Sequence, residues 1–273
     1  MAFDINNFVI DRVVRGVALS QKDDSVLFSI NQMQNVSLNC ASESADAVDA
    51  LGTPIATFYR AKSAEFSAEN ALFDLNLMST QLGTQKKVAS AEKKIVVPAM
   101  ESFTVEANGK YDLKHNPTAA PAEIYALNGD STFGTKYVKA TAASETAFSF
   151  AGKTISMQVE VKDESGKVTT PGVPVGTEMF VMYEYETESA VEVVNSATEF
   201  PVGCKFVMEV LGCDVCDQTN LIYAYVVFPN FKLSPDFDWS VATDGTHPFS
   251  GKAQQDYCDK EKKLFNIIIP GDE

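Results

Sequence analysis

Two closely spaced cysteines are the residues whose spacing most resembles that of a metal or redox site. Cys213 and Cys216 enclose two residues, as in many zinc sites and in thioredoxin-like motifs. A closed zinc site needs four ligands and no second pair follows, whereas a redox pair stands at the start of a helix. Here the pair separates two strand-like apolar runs, 206–211 and 221–228. We therefore expect a turn between two strands, with no metal and no cofactor.

The other residues with catalytic potential do not form a coherent set. The two histidines, His115 and His247, lie in turn-like sequences with proline close by, so we expect hydrogen-bonding surface residues. Asp236 and Asp238 alternate along an expected strand and would face one side, but a calcium site needs six to eight oxygen ligands. No glycine-rich phosphate loop and no Gly-x-Ser-x-Gly motif occurs. We therefore predict that the protein is not an enzyme.

The charge balance of the chain is strongly acidic. The sequence has 22 basic and 37 acidic residues, a net charge of −15. Such a surface repels phosphate, which disfavours binding of nucleic acid by counterion release. The charge fits either plain solubility or a surface along which DNA slides without binding, and composition does not separate the two.

Composition also limits where the protein resides. We expect no secretory signal and no membrane span, because the N-terminus has no basic region before an apolar run and no stretch approaches eighteen apolar residues. The cysteines are too few and too scattered for a disulfide scaffold. They are Cys40, Cys204, Cys213, Cys216 and Cys258. Their redox state is left open.

Short apolar runs separated by polar turns predict a mainly β protein. Strands are expected at 25–30, 36–40, 53–66, 95–97, 101–106, 124–127, 147–150, 155–161, 178–185, 205–211, 221–228 and 263–269. One helix is predicted over residues 70–82, capped by Ser67 or Asn70 at its start and by Gly83 at its end. Its apolar stripe, which we expect to cover one face of a sheet, consists of Leu72, Leu75, Met78 and Leu82.

Two charged segments are candidate contact sites. Residues 41–52 are small and acidic, and we expect a long, mobile hairpin loop that carries a function. Its carboxylates are Glu43, Asp46 and Asp49. The second segment, 85–94, is basic through Lys86, Lys87, Lys93 and Lys94. These lysines are either a solvated loop or a patch complementary to a neighbouring acidic copy of the chain.

The amino-acid composition and the spacing of apolar runs change between residues 109 and 196. Glycine, threonine, serine and alanine become more frequent, and short strands follow one another closely, with turns expected at 152–153 and 165–167. This spacing is typical of a small sandwich or of strands added to a main sheet. We therefore predict a core domain formed by 1–108 and 197–273, and a β-rich insertion over 109–196.

Three parts of the chain resemble the tail tube, or major tail, proteins of bacteriophages. They are FVIDRVVRG at 8–16, LGTPI at 51–55 together with AEFSAENALF at 64–73, and the C-terminal segment 232–270. The resemblance is weaker over 109–196. It implies a tail-tube-type β-sandwich or partial barrel with one flanking α-helix. It also implies hexameric rings that stack into a hollow tube, with the 41–52 loop joining successive rings and DNA passing through an acidic lumen during ejection.

The resemblance carries further expectations about partners and location. It implies assembly in the host bacterial cytoplasm and residence in the virion tail. The expected partners are further copies of the chain, the tape measure protein, the tail sheath, the tail terminator and baseplate proteins, while double-stranded DNA passes without specific binding. Two alternatives stay open: another tail or decoration component of the virion, and a free-standing β-sandwich binding module. Unlimited self-assembly would distinguish a tube protein from both.

Overall fold

The computed structural model describes residues 5, 7–257 and 260–271, and within them the protein is mainly β, as predicted. The strands are β1 (Phe8–Ser20), β2 (Val26–Ile30), β3 (Met33–Val48), β4 (Pro54–Asn70), β5 (Lys87–Val88), β6 (Ile95–Thr104), β7 (Lys110–Asp112), β8 (Glu123–Leu127), β9 (Phe133–Ala140), β10 (Ala147–Ala151), β11 (Thr154–Met157), β12 (Val161–Lys162), β13 (Val168–Thr170), β14 (Glu178–Thr187), β15 (Val191–Glu192), β16 (Gly203–Asp214), β17 (Asp217–Leu233), β18 (His247–Ala253) and β19 (Asn266–Ile268). A helix, α1 (Leu75–Leu82), lies between β4 and β5. In the part of the chain that the structure describes, no helix has the length and hydropathy of a membrane span.

The chain divides into two compact units. Unit 1 consists of Met1–Lys86 and Val193–Glu273, and unit 2 consists of Lys87–Glu192. Unit 2 begins before residue 109, where the sequence analysis placed the insertion. The reason is that β6 pairs with β14 along its whole length, from Ile95 opposite Thr187 to Thr104 opposite Glu178.

Unit 1 is one antiparallel sheet curled around a phenylalanine core. Its strand order is β2-β1-β16-β17-β18-β4-β3, with β19 also paired to β17. Side chains alternate between the two faces of each strand, so one face of the curled sheet points into the core. The inward-facing rings, each at most 2% exposed, are Phe28, Phe66, Phe206, Phe228, Phe231 and Phe249. Gly16 and Gly251 make room for them, since a Cβ at either position would lie within 2.9 Å of the ring of Phe206 or Phe231.

Helix α1 is shorter than predicted, and its predicted apolar stripe is confirmed in part, because Leu82 is buried and Leu75 and Met78 are half-buried, whereas Leu72 precedes the helix. Asn70 ends β4, and the helix begins after Asp74, whose carboxylate accepts hydrogen bonds from two backbone amides of the first turn. Asp74 therefore replaces Ser67 and Asn70 as the cap, because β4 keeps both of those residues in ladder pairing. Leu77 is fully buried, whereas Leu72 is 60% exposed.

The predicted C-terminal cap of the helix is confirmed. Gly83 has a left-handed backbone (φ 72°), and a Cβ there would lie 2.3 Å from the backbone of Phe200. Glycine is therefore required both by conformation and by the close approach of the following segment.

Unit 2 contains a seven-stranded sheet and its own apolar core. The order is β6-β14-β8-β9-β10-β11-β7, in which only the pair β9 and β10 is parallel among the described strands. Fully buried side chains include Leu113, Ile124, Phe148, Ile155 and Met179. The turns predicted at 152–153 and 165–167 are present, with Gly152 and Gly166 at positive φ.

The C-terminal part of unit 1 differs from the sequence-based expectation. Asp236 and Asp238 do not lie on a strand, since β17 ends at Leu233 and residues 234–246 have no ladder pairing. Pro235 has no amide hydrogen to continue the ladder, which explains the break. The terminal strand, predicted over 263–269, is limited to β19.

Candidate functional site

The hairpin of β3 and β4 extends beyond the core of unit 1. Its pairing runs from Met33 opposite Asn70 to Val48 opposite Pro54. Every residue from 41 to 63 is nevertheless exposed. We call residues 41–63 the arm. A two-stranded hairpin without a buried face is marginally stable alone.

The prediction of a loop over 41–52 was wrong. Residues 41–48 belong to β3, and the turn is confined to residues 49–53. Their small and acidic composition has low β-propensity, but β4 presents a continuous strand edge opposite them. Pairing with that edge overrides the local preference.

Asp49 holds the tip of the arm in one conformation. Its carboxylate oxygen Oδ1 accepts hydrogen bonds from the amides of Leu51 and Thr53, both at 2.8 Å. The amide of Asp49 donates to the carbonyl of Thr53 at 2.9 Å, and Gly52 supplies the positive φ (84°) that closes the turn. The hydrogen bonds from Thr53 and Leu51 lower the pKa of the Asp49 carboxyl, which therefore stays charged at neutral pH.

A β-bulge marks the root of the arm. Ala41 pairs with Ser63 and Glu43 pairs with Arg60, so β4 has one residue more than β3 in this interval. Ala61 lies within the bulge at φ 47°, a left-handed conformation that is uncommon for alanine. On the other side of the bulge, β4 is anchored in the core. Its buried residues there are Ala64, Phe66 and Ala68.

Large apolar side chains cover both faces of the arm. Phe58 pairs with Ala45 and Tyr59 pairs with Ser44, so these adjacent aromatic residues point to opposite faces. The most exposed apolar residues of the arm are Leu51 (91%), Tyr59 (73%), Ile55 (72%), Phe58 (55%) and Val48 (55%). Exposed apolar side chains of this size make the arm a candidate contact surface.

The structure places the three predicted carboxylates on the arm, with Glu43 and Asp46 on opposite faces of β3. Glu43 and Asp46 lie on β3, and Asp49 lies at the tip. Between residues 41 and 59 no basic residue occurs, so the outer arm is purely acidic. The strand over 53–66 was predicted, but the exposed aromatic residues Phe58 and Tyr59 that β4 adds to the arm were not identified from the sequence. The signal was the Asp-x-x-Gly turn at 49–52 between two runs of similar length.

The four lysines of the predicted basic patch are exposed, and two of them have partners within unit 2. Lys87 lies 3.0 Å from Glu192, and Lys94 lies 3.4 Å from Glu188. These ion pairs reduce the positive charge that this segment offers to a neighbouring copy. The role of Lys86, Lys87, Lys93 and Lys94 in subunit contacts therefore stays a prediction.

His247 is a structural residue of the core rather than a turn residue of the surface. It is fully buried as the first residue of β18, and its Nε2 lies 2.8 Å from Oε1 of Gln81 in α1. The Asp74 amide donates to Nδ1 at 3.4 Å, so Nε2 carries the proton in the neutral ring. Burial lowers the pKa of His247, against the opposing effect of the Asp74 carboxylate. The contact between His247 and Gln81 therefore joins β18 of the sheet to α1.

The cysteines show the expected turn geometry. Cys213 ends the buried part of β16 and Cys216 lies in the turn before β17, which confirms the predicted turn between two strands. Cys204 is buried, which raises the pKa of its thiol to about 12, whereas Cys40 and Cys216 are exposed. Cys258 lies outside the described residues. Among the described residues, no group of three or more metal-ligating side chains comes together.

Unit 2 holds a buried carboxylate without a cationic partner in its hydrogen bonds. Glu101 is 4% exposed and accepts hydrogen bonds from the hydroxyls of Tyr111 (2.8 Å) and Tyr183 and from the amide of Lys114 (3.2 Å). Burial, together with the nearby carboxylate, raises the pKa of both tyrosines to about 12. These donors satisfy the carboxylate internally, so the cluster ties β6, β7 and β14 together.

Comparison with known proteins places this architecture in a family. The model of the YomU/Tube protein family matches residues 8–267, which includes both units and the whole of the arm. No curated protein matches the chain. The match extends across 109–196, where the resemblance read from the sequence was weak. The chain therefore belongs to the YomU/Tube protein family, a family of phage-derived tube proteins, and is a structural component of the virion tail.

Proposed function

We propose that this protein is the repeating subunit of a phage tail tube, in which hexameric rings stack around a channel that conducts double-stranded DNA during ejection. The role is structural rather than catalytic. The observation that carries the proposal is the arm, in which residues 41–63 are exposed on both faces while β4 is anchored beyond the bulge through Phe66. An exposed, apolar hairpin of this kind is marginally stable alone and gains stability when another surface covers it, which in a tube is supplied by another copy.

Stacking requires a contact that does not close on itself. An arm that extends from one copy and is received by a different surface of the next copy is such a heterologous contact, and its repetition along an axis produces an open filament. Closure within each ring then needs a second contact, for which the sheet edges of unit 1 supply unpaired backbone groups.

The acidic balance of the chain fits a conduit for DNA. With a net charge of −15, every ring of identical copies carries a large negative charge. Acidic walls repel phosphate, so a duplex passes through the channel without being retained by counterion release. Assembly would take place in the bacterial cytoplasm, in contact with tape measure, tail sheath, tail terminator and baseplate proteins.

Electron microscopy of the concentrated protein, combined with light scattering, tests the proposal. We expect hollow tubes with six-fold end views. In a matched variant, residues 43–60 are replaced by an Asn-Gly turn, which removes only exposed residues and leaves the core of unit 1 intact. This variant should remain folded by circular dichroism and form no long tubes. Long tubes from the shortened chain would overturn the assignment of stacking to the arm, and a discrete closed oligomer of the complete chain would favour a decoration component.

A further inference from the structure

A groove runs beside the root of the arm. It lies between β4 at residues 61–65, the end of β18, and the segment that precedes β19, with a volume of about 500 Å³. A smaller groove of about 330 Å³ adjoins it and shares Lys62 and Leu264. Partly buried Ala253 and Leu264 contribute apolar surface to the larger groove. We call the larger groove the root groove.

The root groove is positively charged, in contrast to the acidic chain as a whole. Three lysines line it, Lys62, Lys252 and Lys262, against one carboxylate, that of Glu65. Glu65 is 2.7 Å from Lys252 and is the largest cause of a raised pKa for that lysine. Lys62 and Lys262 are both exposed, and the Lys262 ammonium lies 5.9 Å from the ring centroid of Tyr257. The groove therefore keeps a net positive charge beside an apolar floor.

The tip of the arm has the complementary composition. Asp46 and Asp49 supply negative charge, and no basic residue lies between 41 and 59. Leu51, the most exposed of the large apolar residues described, stands at the turn, next to Val48 and Ile55. Asp49 fixes the turn by accepting two amide hydrogen bonds, so the tip presents a preformed shape and loses little conformational entropy on docking.

We propose that the acidic, apolar arm tip of one copy docks into the root groove of a second copy, with Leu51 on the apolar floor and Asp46 and Asp49 facing Lys62 and Lys262. This inference rests on the proposed function and locates its receiving surface. Because the tip and the groove are different surfaces of one chain, each copy donates one arm and accepts another. A contact of this kind propagates along an axis when it does not close into a ring, as the stacking of rings in a tube requires.

Charge complementarity also has a role beyond affinity. Two copies that each carry a charge of −15 repel one another. A local pairing of a basic groove with an acidic tip steers the approach of one ring to the next and fixes the register between them. The apolar contact of Leu51 then supplies a contribution that salt does not screen.

Site-directed disulfide trapping tests the docking. In a chain whose Cys40, Cys216 and Cys258 are replaced by serine, Ala50→Cys at the tip and Ala253→Cys in the groove should yield, under mild oxidation, a ladder of linked dimers, trimers and higher species. A mixture of chains that carry only Ala50→Cys with chains that carry only Ala253→Cys should stop at dimers linking one of each. Tubes that form without this ladder would overturn the docking and leave the proposed function in place.

Charge reversal supplies a second, independent readout. Asp46→Lys and Lys262→Glu should each raise the protein concentration required for tube formation by about tenfold, and the double variant should return it to within about threefold of the wild-type value. Lys153→Glu, an equal charge change on a turn of unit 2, is the matched control and should have no such effect. Single variants that assemble like the wild type would overturn the docking. A wild-type chain that never assembles would overturn the proposed function and the docking together.

Discussion

Nε2 of the buried His247 lies 2.8 Å from the side-chain oxygen of Gln81, and this contact joins β18 to α1. Gln81, like His247, is fully buried. The ring must be neutral to accept the Asp74 amide hydrogen at Nδ1 while it donates from Nε2. One of the contacts that attach α1 to the sheet therefore depends on the protonation state of this imidazole, beside the burial of Leu77.

The stability of unit 1 should fall as the pH decreases below about 6.5, the ordinary pKa of histidine. Burial lowers the pKa of His247 in the folded protein, so the unfolded chain takes up the proton first. The contribution is complete above pH 6.5 and is lost as the pH falls towards the folded pKa, with a slope of at most about 1.4 kcal/mol per pH unit. Urea denaturation followed by Trp239 fluorescence between pH 8 and 5 measures it. His247→Gln should flatten this dependence.

Substitution of two phenylalanines of β4 should affect two different properties: the unfolding free energy for Phe66 and tube formation for Phe58. Phe66 is 1% exposed and lies 5.3 Å from Phe206, ring centroid to ring centroid, so Phe66→Ala should cost about 3–5 kcal/mol of unfolding free energy. Phe58 is 55% exposed on the arm, so Phe58→Ala should change it by less than about 0.5 kcal/mol and still weaken tube formation. Denaturation and sedimentation of both variants provide the measurements. A Phe58→Ala chain that assembles normally would contradict the role of the arm surface.

The left-handed conformation of Ala61 should destabilise the bulge and so reduce the structural order of the arm. At φ 47° it occupies a left-handed conformation that costs an alanine about 1–2 kcal/mol and costs glycine almost nothing. Ala61→Gly should therefore stabilise the bulge by up to about 1 kcal/mol after the entropy of the unfolded chain is included, while Ala61→Val should destabilise it. Hydrogen exchange of the amides over residues 43–60 is the measurement. Slower exchange in the valine variant than in the glycine variant would show that the bulge does not control the arm.

Asp49 should stabilise the turn at the tip of the arm by accepting hydrogen bonds, and its negative charge should favour assembly. Asp49→Asn keeps an oxygen that accepts from Leu51 and Thr53, so the amides of the turn should stay protected. Asp49→Ala removes that acceptor, and exchange at Leu51 and Thr53 should accelerate by about tenfold. If both variants exchange alike, the turn is held by the backbone pairing of Asp49 with Thr53 alone.

Replacing the buried carboxylate of Glu101 with an amide should lower the stability of unit 2. Glu101→Gln places an NH₂ group among donors from Tyr111, Tyr183 and Lys114, which should cost about 2–3 kcal/mol. Tyr111→Phe removes one donor and should cost about 1 kcal/mol. Hydrogen exchange over residues 87–192 reports on this unit separately. An unchanged exchange rate in Glu101→Gln would refute the structural role of the cluster.

The same cluster predicts a loss of stability at high pH. The pKa of Tyr111 and of Tyr183 is raised to about 12 in the folded protein, mainly by burial. The unfolded chain therefore loses these protons first, and the stability of unit 2 should decrease as the pH rises from about 10 towards 12. Ultraviolet titration of tyrosinate, compared with that of the Tyr111→Phe variant, measures the shift.

Periodicity and turn residues were sufficient to predict many of the strands, but not β1 or β9. The alternation in 205–211 and 221–228 and the turn between Cys213 and Cys216 reflect local rules, because side chains on a strand alternate between a buried and an exposed face. The same holds for Gly83, since a left-handed helix end requires a residue without a Cβ. The carboxylates Glu43, Asp46 and Asp49 were also identified as a group, from the acidic composition of residues 41–52.

What the sequence by itself determined is therefore the β class, many strand positions and the acidic composition of residues 41–52, all of which depend on neighbours along the chain. Tertiary structure alone decided that residues 41–48 are strand, because their pairing partner lies across the hairpin in β4. It also decided that His247 is buried against Gln81 and that Lys62, Lys252 and Lys262 share one groove. These relationships join residues far apart in sequence, and their free energy comes from burial and pairing that no local pattern records.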